Sequence, residues 1–353
     1  MLSPQIYLIP FILSLICTAF IVILAQQKQW FLSKNDLEGV QKFHHHPTPH
    51  IGSLAVFTGF TAGYFLLIDS QVVLALLLAS LPLFIAGLTE DLSAKTSPIW
   101  RLLSVFFSIS ISFFYLEIGI FTLGFEWTDN LLAYPVIGWI FTLLVVGGAV
   151  NALNVIDGYN GLMPGYMLLA LMAIGVVAYG LDDVLIMQLS TLLGVSILGF
   201  FLLNFPLGKI FIGDAGAYFC GFMLAMIGLL LVDRNKELSN WFVLLVLIYP
   251  MYELLFSVYR KKLITKTLIT RPDGYHLHML IHQKLLKHKM CKTEKMRSNN
   301  MTSPFLWVLS LVGIIPAIIW YNNQTMLIIW ALIFMVVYTI IYWRIVQFGK
   351  QEG

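Results

Sequence analysis

Charge is scarce in this sequence. Asp, Glu, Lys and Arg make up 11% of its 353 residues, where a soluble globular domain carries about 25%. That shortage excludes a soluble enzyme, a disordered chain and a nucleic-acid-binding domain. Cysteine is scarcer still. Cys17 and Cys220 lie in apolar runs and Cys291 in a basic loop, an odd and irregular set that gives no disulfide framework. No basic residue precedes the first apolar run, because the first one is Lys28. A cleavable signal peptide, which needs positive charge ahead of that run, is therefore not predicted. Internal repeats and low-complexity tracts are missing too, as are the alternating ten-residue segments of an outer-membrane barrel.

What is present is apolar. Hydrophobic residues reach 59% and the mean hydropathy is +0.85, gathered into runs of about 20 residues, the length that crosses a bilayer as a helix. The fold class expected is an all-α polytopic membrane protein with about eleven transmembrane helices. They are placed at 6–25, 51–68, 72–88, 99–118, 134–150, 162–180, 184–203, 216–232, 241–258, 304–320 and 325–343. These spans consume most of the chain, so 1–353 reads as one integral-membrane domain whose chemistry sits in loops and span ends.

An odd number of spans puts the termini on opposite sides. With the N-terminus outside, the inner segments are 26–50, 89–98, 151–161, 204–215, 259–303 and the C-terminal tail. All 21 Lys and Arg then lie inside or at an inner span end, except Arg234 and Lys236. The positive-inside rule fixes that orientation, with a cytoplasmic C-terminus. All eight His share the inner side. The longest outer loop, 119–133, suggests a small hairpin and carries no chemistry.

Each inner loop holds a polar cluster at the end of a span. The first reads His44-His45-His46-Pro47-Thr48-Pro49-His50. Adjacent residues diverge on any backbone while metal ligands must converge, so a basic headgroup loop is the plainer reading. In the second, Glu90-Asp91 ends a span: solvated acids, or oxygen ligands for a hard cation. In the third, Asn151, Asn154, Asp157 and Asn160 recur every three residues, which stacks them near one helix face. Gly158 and Gly161 there allow close backbone approach. The fourth holds Lys209 and Asp214, the latter a helix N-cap or a phosphate and cation site. The fifth runs Arg271-Pro272-Asp273-Gly274-Tyr275-His276-Leu277-His278, where His276 and His278 share a face only if extended. Downstream, Lys284 to Arg297 reads as a headgroup contact. Acids and amides for a divalent cation, with His, Lys and Arg for phosphate, make a phosphoryl-transfer site. Its place at the bilayer surface implies one substrate in the lipid and one in the cytosol. A transporter would place ionisable groups deep in its spans, and the deepest inner-side acid is Glu253. A heavy-metal permease would need clustered acids, His or Cys inside the spans, and Cys17, Glu117, Cys220 and Glu253 lie there one to a span.

Collinear from about residue 44 to 282, these motifs resemble the polyprenyl-phosphate N-acetylhexosamine-1-phosphate transferase family, glycosyltransferase family 4. The resemblance implies transfer of a sugar phosphate from a UDP-N-acetylhexosamine to undecaprenyl phosphate with release of UMP. It also implies Mg2+, with Mn2+ as a substitute, in the bacterial inner membrane, and it allows a homodimer. Carried over residue by residue, Glu90, Asp91, Asp157, His276 and His278 fall on catalytic positions. Asn151, Asn154, Asn160, Lys209 and Arg101 fall on substrate-binding ones, and Asn154 and Asp214 on the metal. Three departures stand out. Glu90 replaces the usual Asp, and Asn160 a common Asp. The histidine motif reads His-Leu-His-Met instead of the triple His of the pentapeptide translocase branch, which favours a hexosamine substrate.

Overall fold

The protein is described by a computed structural model covering residues 4–28, 48–67, 70–93, 96–264, 266, 268, 274–286 and 295–351. The described residues hold helices and no strand: α1 (Leu8–Lys28), α2 (Ser53–Leu67), α3 (Gln71–Ser93), α4 (Pro98–Tyr115), α5 (Glu126–Leu132), α6 (Pro135–Ile156) and α7 (Leu162–Gly180) come first. Then follow α8 (Val184–Asn204), α9 (Gly213–Arg234), α10 (Asn240–Val246), α11 (Ile248–Tyr259), α12 (Leu277–Leu280), α13 (Lys295–Ile319) and α14 (Gln324–Gln351). Among the described residues nine helices are long and apolar enough to cross a membrane. Two further expected spans take other forms. α2 has only 15 residues, about 22 Å of helix at 1.5 Å per residue. The span expected at 241–258 is broken at Leu247, where α10 meets α11 and its continuation to Ile264 at 72°.

Polar residues set the ends of these apolar rods. Ser97 caps α4 by accepting from Ile99 N, with Pro98 in the first turn where a missing N–H costs nothing. Asp183 caps α8 and also binds Arg234 Nε, at the C-terminal end of α9, at 2.8 Å. The 119–133 segment forms the short helix α5 rather than a hairpin. Asp129 Oδ1 there accepts from Leu123 N and Gly124 N. Trp241 Nε1 and Asn240 Nδ2 then staple the segment onto α10 through Leu123 O and Thr122 O.

At the centre stands α9. Its apolar residues run all the way round, and from Ala215 to Leu231 every residue is buried. A helix hydrophobic on every side belongs inside the bundle, and α9 packs against α2, α3, α6, α7, α8 and α10. Its first turn carries Asp214, the acid at its N-terminal end.

Candidate active site

The crossing of α3 and α9 builds the site. Gly87 lies against the backbone of Ala215, where any Cβ would overlap it. One turn later on α3, Asp91 therefore arrives at the start of α9. Its Oδ1 accepts from Asp214 N at 2.8 Å and its Oδ2 from Ala215 N at 3.0 Å. These are N–H groups that a helix start leaves without partners. Asp91, not Asp214, thus caps α9. Asp214 lies inside the first turn, and its Oδ1 accepts from Asn154 Nδ2 of α6 at 2.7 Å. Asp157 accepts from the N–H of Gly213. Gly213 has φ +79°, a left-handed conformation that favours glycine.

Three carboxylates from three elements therefore surround one helix N-terminus. Burial, with Asp214 close by, pushes Asp157 up to about 7 against the opposing Gly213 hydrogen bond. Half-buried Arg101 of α4 stands in electrostatic contact with Tyr218, Asp214 and Glu90. Glu90 is half-buried, its charge bears on Asp214 as well as on Arg101, and its Oε2 accepts from Thr96 N at 3.0 Å and shapes the turn into α4.

The three-residue spacing from Asn151 to Asn160 does not place four side chains on one face. α6 ends at Ile156, and Asp157 leaves the helix with ψ 59°, so the periodicity stops half-way. Asn151 is exposed and its Nδ2 bonds back to Gly147 O. Only Asn154 and Asp157 meet the acids. Asn160 is stitched to α13 instead: its N donates to Asn299 Oδ1, its Nδ2 to Asn300 Oδ1, and its O accepts from Ser303 Oγ. Gly161 has φ +76° and donates its N–H to Asn204 Oδ1. Asn204 Nδ2 donates on to Ile210 O, which ties this turn to the 204–212 loop. Lys209 in that loop is exposed.

The loop before α2 completes the rim. Phe211 N donates to Pro49 O, Gly52 N to Phe211 O and Ser53 N to Ile212 O. His50 stacks on Phe211 with ring centroids 5.2 Å apart, and its charge bears on Asp214. His44, His45, His46 and Pro47 lie outside the described residues, as do Arg271, Pro272, Asp273 and Cys291.

The histidine pair is brought together. His276 is extended and His278 lies in the first turn of α12, so their rings stack 5.3 Å apart at 10°. His276 Nδ1 meets Glu253 Oε1 at 3.0 Å. His278 is fully buried, and among the described residues neither of its ring nitrogens has a hydrogen-bond partner. Burial lowers it to about 4, with Glu253 opposing and His276 adding to the shift. Tyr159 packs edge-on against His278 at 5.5 Å. The turn Asp157–Tyr159 thus joins the acid cluster at one end to the histidines at the other.

Among the described residues no three Asp, Glu, His or Cys side chains converge as a ready-made metal cage. Both oxygens of Asp91 are taken by backbone N–H groups. Asp214 and Asp157, with the amide of Asn154, remain for a hard cation. Such a set suits an ion that draws its other ligands from phosphate and water, as Mg2+ does.

Residues 73–232 match the family model described as glycosyl transferase family 4. The chain belongs to that family. A protein of Bacillus subtilis (strain 168), named a probable undecaprenyl-phosphate N-acetylglucosaminyl 1-phosphate transferase, is 27% identical over 288 residues, covering 80% of this chain and 79% of the relative. An undecaprenyl-phosphate alpha-N-acetylglucosaminyl 1-phosphate transferase of Thermotoga maritima is 27% identical over 282 residues, covering 79% and 81%. A phospho-N-acetylmuramoyl-pentapeptide-transferase of Streptococcus equi subsp. zooepidemicus is 31% identical over 181 residues, but covers only 49% of this chain and 50% of its own.

Within this glycosyl transferase family 4 chain, the matched stretch carries Glu90, Asp91, Arg101, Asn154, Asp157 and Asp214. The histidines lie beyond it. Three residues at the site were not assigned from the sequence. His50 was grouped with a headgroup loop, and the Phe211 pairing that brings it inward joins segments about 160 residues apart. Glu253 figured only as the deepest inner-side acid. Its carboxylate is instead fully engaged by His276, Leu277 N and Tyr338 Oη. Arg260, buried at the end of α11, sits over the Tyr275 ring at 5.5 Å; its signal was the Arg260-Lys261-Lys262 run.

Proposed function

We propose that this protein transfers an N-acetylhexosamine 1-phosphate, GlcNAc-1-phosphate first among them, from its UDP-sugar to undecaprenyl phosphate and releases UMP. The reaction takes place at the cytoplasmic face of the bacterial inner membrane, as the first membrane step of a cell-surface polysaccharide. The observation that carries this reading is the set of three carboxylates around the inner end of α9. Like charges held this close repel unless a cation or a proton joins them. A site built this way is suited to cationic chemistry on phosphate. The names of the relatives supply the two substrate classes.

Chemically, an oxygen of the lipid phosphate attacks the sugar-bearing phosphorus. The bond from that phosphorus to the bridging oxygen breaks, and UMP leaves with the bridging oxygen. One phosphoanhydride replaces another, so the exchange is close to neutral and reversible. A phosphate monoester has a second pKa near ~6 and is mostly dianionic at pH 7. No strong base is needed, which agrees with an Asp91 whose oxygens face backbone N–H groups. Asp214 and Asp157, with Asn154, would hold Mg2+, which when bound supplies charge neutralisation at the diphosphate. Arg101 and His50 add positive charge beside Asp214, and His276 and His278 serve the phosphate end.

The test is isotope exchange in detergent. Labelled UMP, lipid phosphate and unlabelled UDP-GlcNAc should give labelled UDP-GlcNAc, and tunicamycin should suppress it. UDP as the sole nucleotide product would sink the reaction class. Exchange with another UDP-N-acetylhexosamine but not UDP-GlcNAc would sink only the sugar.

A further inference from the structure

The histidine segment has little means of holding itself in place. α12 has four residues, too short to be stable alone, and His276 at its N-cap makes no side-chain capping bond. The cap comes from Glu253 on α11. Its Oε1 takes both Leu277 N, the first N–H of α12, and His276 Nδ1, each at 3.0 Å. Its Oε2 accepts from Tyr338 Oη of α14 at 2.9 Å. One helical turn further along α14, Tyr342 Oη donates to Tyr275 O at 3.0 Å. Tyr338 and Glu253 are both buried. The last span, which lies beyond the matched stretch and carries no motif, therefore grips the segment at two points.

We infer that Glu253, held by Tyr338, is the positioning residue for His276, fixing its ring orientation and its proton on Nδ1. The carboxylate already accepts from Leu277 N and Tyr338 Oη, and an acceptor in that setting requires Nδ1 to donate. Nε2 is then the ring atom through which His276 deals with substrate. The carboxylate thus fixes both the tautomer and the orientation of the ring, the logic of a histidine oriented by an acid. The stacking of His276 on His278 passes the same constraint to the second histidine. Tyr338 and Glu253 touch no substrate in this scheme and act through His276.

This inference rests on the proposed transferase reading for its catalytic consequence but not for its geometry, and the experiment separates the two. Nitrogen-15 NMR of histidine-labelled protein, with His276 assigned by His276→Gln, reads the tautomer without substrate. Wild type should show His276 protonated at Nδ1. Glu253→Gln and Tyr338→Phe should shift that resonance while elution and thermal unfolding stay close to wild type. In the exchange assay both should lower kcat by about tenfold or more, the scale of a lost hydrogen bond to a charged group, with KM for the UDP-sugar little changed. Glu253→Asp, which keeps the charge, should recover part of what Glu253→Gln loses. An unmoved His276 resonance in Tyr338→Phe and Glu253→Gln would overturn the inference. So would a Glu253→Gln enzyme more active than Glu253→Asp, because the role would then be packing. If NMR behaves as expected but wild type performs no exchange, the positioning holds and the transferase reading falls.

Discussion

Replacing Asp91 with Asn separates two roles that a span-end acid can hold. In the structure its two oxygens accept from Asp214 N and Ala215 N at 2.8 and 3.0 Å. Asn keeps one acceptor and turns an NH2 group against the other N–H. One charge-assisted bond is lost, about 1.5–3 kcal/mol, and one backbone donor is left unsatisfied. The interaction of the negative charge with the helix start adds about 0.3–1 kcal/mol. The expected cost is therefore up to about 4 kcal/mol of stability, reduced by the relief of like-charge crowding with Asp214 and Asp157. It should fall locally, at the turn that sets the Asp214 backbone, so activity should drop together with thermal stability. The assay pairs thermal unfolding of the detergent-solubilised protein with single-turnover transfer. Asp91→Asn that unfolds with wild type yet transfers nothing would refute the cap. Its carboxylate would then act directly on the reacting phosphates.

Asp214→Asn should do the reverse. It relieves crowding among three carboxylates, so the apo protein should be no less stable, while transfer falls by at least a hundredfold. Wild type should unfold at a higher temperature with Mg2+ than with EDTA, by ligand linkage, and the variant should lose most of that difference. A full Mg2+ shift in Asp214→Asn would remove it from the metal. His278, lowered from the ordinary histidine value to about 4, predicts acid sensitivity. Between about pH 6.5 and 4 the unfolded chain binds a proton that the folded chain does not. Stability is thus intact above that window and declines as pH falls through it, by on the order of 3 kcal/mol at 1.36 kcal/mol per pKa unit. His278→Gln should flatten the decline, and an unchanged pH profile would contradict the buried neutral ring. For topology, Ser298→Cys should be protected from an impermeant thiol reagent in intact cells and Asn235→Cys should react. The opposite pattern would invert the membrane orientation.

The helices were legible because each apolar run is a local property of the chain. Ten expected spans fall on helices of the structure, α2 among them despite its 15 residues, but α6 runs on to Ile156, α13 starts at Lys295 and α14 runs on to Gln351, each well past its expected end. The break at Leu247 is hidden from hydropathy, because both halves of that span are apolar, but Pro250 marks it: it has no N–H to give the carbonyl of Val246, and its ring crowds that carbonyl. At the site, residue type was informative and spacing less so. The every-third-residue pattern promised one face, but it ran past the end of α6. Asn154 and Asp157 went to the acids, Asn160 to α13, and Asn151 back to its own helix. Asp91 was visible as an acid at a span end. That its oxygens cap a helix 123 positions away depends on Gly87 allowing α3 to touch α9, a long-range contact with no local signature.

The partition between α9 and α14 follows from what each helix must do. α9 is apolar on every side, so neighbouring helices can close around it and deliver Asp91, Asn154 and Asp157 to its N-terminal end. Its chemistry is concentrated where the sequence changes from polar to apolar, and such boundaries are easy to read. α14 lies at the edge of the bundle, and its hydroxyls at Tyr338 and Tyr342 sit inside an apolar run. Among aromatic residues at helical spacing, nothing distinguishes an orienting tyrosine from a packing one until Glu253 is seen opposite it. A buried carboxylate near the membrane would read as a transport site if its partners were unknown. Three donors around it make it a fixed part of the histidine segment, and the site gains its order from a helix that contributes no motif of its own.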